Sequence, residues 1–198
     1  MSTQLSDADE SGRPPAQSAR TSSRDVELVA EQVGRAPRDP WRVAARCRWG
    51  YATAIVSPSR LSDGTPFPTF AWLTCPWLAQ RASAAESQGA TAEWARRAEA
   101  DPDLRSRLSK TDQAVRERRA AESGGTDACA SVGIAGQRDS SGVKCLHAHV
   151  ALALVGLDDP IGLHMLGMDN PACPDQRCAR LIPDASQHGG DVPSEEDA

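Results

Sequence analysis

The sequence has no apolar run approaching the roughly 18 residues of a membrane-spanning helix, so a helix of that kind is excluded. Its opening stretch, MSTQLSDADESGRPPAQSARTSSR, lacks an apolar core, so export by a secretory signal is not expected. There is no Walker-type glycine loop, no dinucleotide fingerprint and no HExxH, which removes the commonest nucleotide-binding and zinc-protease signatures. Lysine is nearly missing: of 22 basic residues only Lys110 and Lys144 are lysines. Such an Arg and Ala bias reflects genomic base composition better than it reflects a binding surface. Aromatics make up 4% and hydrophobic residues 39%, a thin supply for which the two polar ends are largely responsible. The net charge of −5 argues against a surface built for nucleic acid. These absences leave a soluble, cytoplasmic domain as the expectation.

The 198 residues suit one domain of ordinary size. Residues 1–24 are almost free of apolar side chains and cannot offset their ordering entropy, so they read as a disordered tail. Residues 184–198 form a similar, acidic tail. The folded domain is expected over 25–183, with a Gly-, Ser- and Ala-rich flexible loop at about 123–142.

Within that span the hydrophobic period changes twice. Asp25 to Gly34 suits a short helix with Gly34 as its C-cap. Trp41 to Trp49 alternates strictly: Val43, Ala45, Cys47 and Trp49 point one way, and Arg42, Ala44, Arg46 and Arg48 the other. A second strand is expected at Ala52–Ser57. After a turn at Asp63-Gly64, a third strand spans Phe67 to Cys75. Pro76 then opens a helix to about Gln88, a second covers about Ala92–Ala100, and Asp101-Pro102 caps a third carrying Leu104, Leu108, Thr111 and Val115. A last helix is expected from Val143 to Val155. The fold class is α+β: a small antiparallel three-stranded sheet covered on one side by helices.

Chemistry rests with six cysteines and four histidines. With no secretory signal, the thiols read as reduced groups that pack, bind metal or react. Cys47 and Cys75 end the first and third strands at the same edge of the sheet, at a separation set by strand order. The segment Val143-Lys-Cys-Leu-His-Ala-His-Val150 is the densest group of metal-ligand types. A regular helix pairs Cys145 with His149, whereas an unwound start pairs Cys145 with His147. Cys47, Cys75 and Cys145 with one of these histidines would make a Cys₃His set, the composition of a structural zinc site. The competing reading is simply buried thiols in a small core. An enzymatic alternative places Cys75 at a helix N-terminus as the nucleophile of a hydrolase or transferase, with His147 or His149 as its base. A third reading is an adaptor for an anionic protein or other anionic partner, held on the strand face of Arg42, Arg46 and Arg48; poor aromatic interleaving there disfavours nucleic acid. Cys173 and Cys178 form a C-x₄-C pair that His164 or Cys129 would have to complete, but incidental thiols near a flexible end explain it better.

The pieces Val33-Gly-Arg, Ala45-Arg-Cys-Arg-Trp, Leu61-Ser-Asp-Gly-Thr-Pro-Phe-Pro-Thr, Leu73-Thr-Cys-Pro and Lys144-Cys-Leu-His, in this order, resemble the domain-of-unknown-function family 501 of uncharacterised bacterial proteins. The similarity covers about residues 25–160. It implies a bacterial cytoplasmic domain and supplies no reaction. The family pattern includes the positions of Cys47, Cys75, Cys145 and His147, which favours His147 over His149.

Overall fold

The computed structural model describes residues 21–139, 142–167 and 173–182. The proposed tails therefore lie outside the described residues, apart from 21–24 at the front. There the chain is already ordered: α1 (Ser23–Val33) starts two residues before the expected boundary. Ser22 and Asp25 form a capping box, with the Asp25 N–H donating to Ser22 Oγ at 3.1 Å and the Ser22 N–H donating to Asp25 at 2.9 Å.

Three antiparallel strands follow as a meander: β1 (Arg42–Arg46), β2 (Ala52–Val56) and β3 (Ala71–Leu73), in the order β1-β2-β3. Every residue of β2 is buried, because the sheet is covered on both faces. On one face Val56 and Ala71 pack with Val115, Ala151 and Leu152. On the other, Val43 and Ile55 pack with Val29 of α1. The expected one-sided cover thus gains a second layer from α1. The expected third strand contracts to three residues, since Pro68 interrupts any ladder before Phe70.

Strict alternation fails in β1. The register runs Val43 opposite Ile55, Ala45 opposite Ala54 and Arg46 opposite Ala52, with an irregularity on each side of Ala45. These shifts change which way successive side chains point. Arg42 reaches Glu122 on the α4 side, while Arg46 turns to Asp25 on α1. Two of the three arginines expected to share a face, Arg42 and Arg46, therefore serve opposite layers.

The helical layer is α2 (Pro76–Ser87), α3 (Ala90–Ala100), α4 (Pro102–Glu122), α5 (Leu146–Leu154) and α6 (Pro160–Gly167). Asp101 caps α4 by accepting from the N–H groups of Asp103 and Leu104. Leu104, Leu108, Leu146, Ile161, Trp94 and Ala98 make a second core between these helices. Helix α6 was not foreseen. Its docking rests on glycine: a Cβ on Gly162 would lie 2.0 Å from the His149 carbonyl oxygen, so only glycine lets α6 cross α5 this closely. His149 itself is buried and its Nδ1 lies 2.7 Å from Asp159 Oδ2, while Asp159 also accepts from the N–H groups of Ile161 and Gly162.

The Gly- and Ser-rich segment after α4 is irregular, as its composition suggests, yet firmly held. Arg119, fully buried, donates to the Asp127 carboxylate and to the carbonyls of Pro68, Cys129 and Val132. Asp112 accepts from the Ile134 N–H at 2.8 Å and fixes the short 3₁₀ turn Ile134–Gly136.

Candidate metal centre

Helix α5 begins one turn later than the sequence suggested. Val143 and Lys144 are outside the helix, and Cys145 is the N-cap, extended with φ −154° and ψ 116°. Because the backbone is not yet helical there, residues i and i+2 can turn to the same side. The Cys145 Sγ lies 3.7 Å from His147 Nδ1. From the neighbouring helix α2, Glu86 completes the group, with its Oε1 3.3 Å from the same Nδ1. One ligand atom from each of Glu86, Cys145 and His147 falls within 4.8 Å of the other two, the sole such trio of His, Cys, Asp or Glu among the described residues.

Each ligand is oriented by a further hydrogen bond. Glu86 Oε1 accepts from the Leu146 N–H at 2.6 Å, so the carboxylate also caps α5. Ser83 Oγ, one turn before Glu86 on α2, lies 3.1 Å from His147 Nε2. That contact engages the ring nitrogen facing away from the trio and leaves Nδ1 facing Cys145 and Glu86. Burial pushes the Cys145 thiol up, but the His147 ring and the Ala148 N–H outweigh it and bring the thiol below its ordinary value. His147 is in turn pushed up to about 9, first by its hydrogen bond to Cys145. Each partner thus favours the charged form of the other. Cys145 and His147 also line a cavity of about 500 Å³, with Arg35, Trp72, Thr74, Ala135 and Lys144 among its other walls.

The structure divides the four residues of the Cys₃His expectation. Cys145 and His147 are together, whereas Cys47 and Cys75 line a separate cavity with Cys173 and Cys178. Cys47 and Cys75 do meet at one end of the sheet, although β2 stands between the strands they follow, while Cys145 and His147 sit at the start of α5 beside α2. His149 belongs to the buried pair with Asp159 and is no substitute ligand. Cys75 is the N-cap of α2, but its thiol is buried and pushed up by that burial, the opposite of what a nucleophile needs. Arg42 and Arg46 are engaged by carboxylates, and Arg48 stacks over the Trp49 ring at 4.5 Å. Cys129 donates weakly to the Ser59 carbonyl, and His164 packs edge-on against Trp94. Neither approaches the C-x₄-C pair as its completing ligand.

Glu86 is the residue that sequence reasoning missed. It stood within a mixed-charge stretch that reads as solvated surface, and only the packing of α2 against α5 singles it out. The Ser83/Glu86 spacing was the available signal, since it places both on one helix face.

Fold and trio together define a small α+β protein with a thiol–imidazole–carboxylate cluster beside a cavity. A family model described as "Protein of unknown function (DUF501)" matches residues 43–166, and the chain belongs to that family. No curated protein and no solved structure matches the chain. No described helix is long and apolar enough to cross a membrane.

Proposed function

We propose that the protein is a zinc-binding protein whose ion is held by Glu86 Oε1, Cys145 Sγ and His147 Nδ1. The spacing carries the reading. With Zn–S of about 2.3 Å and Zn–N or Zn–O of about 2.0–2.1 Å, tetrahedral geometry puts S and N about 3.6 Å apart and O and N about 3.3 Å apart. The observed separations are 3.7 Å and 3.3 Å. One sulfur, one nitrogen and one oxygen form a borderline donor set, suited to zinc and poor for magnesium or calcium. Three protein ligands leave a fourth position, as in sites that bind a small ligand or water beside a cavity.

Metal analysis of purified protein tests this. One zinc per chain should be lost in His147→Ala and in Cys145→Ser, with the fold retained by circular dichroism. A metal content indifferent to both substitutions would overturn the proposal.

A second reading is favoured by one observation, the lowered Cys145 thiol beside a raised His147 at the start of α5. In it Cys145 is a metal-free nucleophile and His147 its proton partner. Chelator-treated protein should then be alkylated by iodoacetamide at Cys145 faster than at any other cysteine near neutral pH. Uniform labelling of the exposed thiols would remove this alternative.

A further inference from the structure

Of the five cysteines outside that centre, four meet around one small cavity. Cys47 follows β1 in the tight turn that leads to β2, where its N–H donates to the Tyr51 carbonyl at 2.9 Å. Cys75 caps α2 from the end of β3. Cys173 and Cys178 come from the C-terminal segment, Cys178 within the 3₁₀ turn Arg177–Arg180. All four line a cavity of about 10 Å³, room for about one atom. Three of them are buried, and Cys47 is half-buried.

We propose that Cys47, Cys75, Cys173 and Cys178 form a second, all-thiolate zinc site that is structural and staples the C-terminal segment to the sheet edge. The pairing is between distant parts of the chain, so a closed tetrahedral Cys₄ centre would tie the hairpin end, the start of α2 and the segment 173–182 together. Burial pushes the Cys75 and Cys178 thiols up, and nearby donors oppose that rise. The Gln32 amide donates to Cys178 Sγ at 3.2 Å, and the N–H groups of Leu78 and Trp77 reach Cys75. Trp49 Nε1 donates to the Cys173 carbonyl at 3.1 Å and Arg177 to Gln80 at 3.0 Å, which sets the segment against the cavity.

No three of these sulfurs lie within 4.8 Å of one another, whereas tetrahedral zinc thiolate needs about 3.8 Å between sulfurs. The adjustment falls to side chains. Cys173 donates to Asp175 Oδ1 at 3.1 Å, a hydrogen bond that its thiol would exchange for the ion on binding. Binding replaces four S–H protons: the ion enters as Zn²⁺, four thiols become thiolates, and four protons leave to solvent.

Cobalt(II) substitution of the zinc-stripped full chain is the test, because sulfur-to-cobalt charge transfer scales with the number of bound thiolates. The His147→Ala chain should keep one tetrahedral cobalt with a four-thiolate spectrum. Cys173→Ser/Cys178→Ser should lose that spectrum and one zinc per chain, while retaining the one-thiolate signal of the first centre. If the double variant does not fold, Cys178→His serves instead: it should keep the ion with a three-thiolate spectrum. Zinc content and cobalt spectrum unchanged by either variant would overturn the proposal. So would a disulfide among these four cysteines in protein purified anaerobically with reductant.

Discussion

Arg119→Met puts the packing account to a quantitative test. The wild-type guanidinium is fully buried and bonds Asp127 at 2.7 Å and the carbonyls of Val132, Pro68 and Cys129 at 2.6, 2.6 and 2.8 Å. Methionine fills a similar volume, so little cavity term enters. What it leaves is a buried carboxylate without its counter-ion, at about 3–5 kcal/mol. It also leaves carbonyls that have lost a donor, at about 1 kcal/mol each where water cannot reach. Partial water entry reduces the sum, and about 5 kcal/mol is expected. For a domain of this size that lowers the melting temperature by roughly 10–20 °C. Urea unfolding followed by tryptophan fluorescence, with calorimetry alongside, gives the number. Limited proteolysis should show cleavage appearing first within 124–137, the segment the arginine ties down. A loss below about 1 kcal/mol would mean that Arg119 does not hold that segment.

Other outcomes follow from the same geometry. Gly162→Ala forces a methyl against the His149 carbonyl and should cost about 1–3 kcal/mol by thermal unfolding; a neutral result would contradict the close α5–α6 crossing. The Asp25 carboxyl is held down to about 2, first by its hydrogen bond to Arg46. Its folded pKa lies below the ordinary value, so its stabilisation is present above about pH 4 and disappears as pH falls through about 2. With Arg46 partly exposed this amounts to about 1 kcal/mol, and Asp25→Asn should abolish that part of the acid dependence in a pH series of urea midpoints. Ser83→Ala removes only the contact at His147 Nε2, so competition with a chromophoric chelator should show zinc bound roughly 10–100-fold more weakly with no change in stoichiometry.

The sequence carried much of the architecture because local signals sufficed for it. Pro76 and Asp101-Pro102 open helices where turn chemistry demands them, and Asp63-Gly64 turns the chain where positive φ is needed. What escaped depended on contacts between distant segments. The irregularities around Ala45 split Arg42 from Arg46, and no single-strand pattern reveals them, since they depend on how β2 lies alongside. Helix α6 is short and, His164 apart, apolar, so it shows no stripe; it is specified by Gly162 and the Asp159 cap, which only matter once α5 is beside it.

The site was legible in kind more than in grouping. The segment around Cys145 advertised its chemistry through residue type, and the unwound helix start that pairs Cys145 with His147 was one of two geometries open from spacing alone. The partner from α2 was not legible, because Glu86 resembles every other surface glutamate until α2 meets α5. Cys173 and Cys178 sat close to the chain end and looked incidental, yet they face the cavity that Cys47 and Cys75 border.

X-ray absorption at the zinc edge of the Cys173→Ser/Cys178→Ser chain isolates the centre on which this account turns. One sulfur at about 2.3 Å with nitrogen and oxygen neighbours at about 2.0–2.1 Å is the result expected for Cys145, His147 and Glu86. A first shell without sulfur, or a folded chain that binds no zinc, would contradict it.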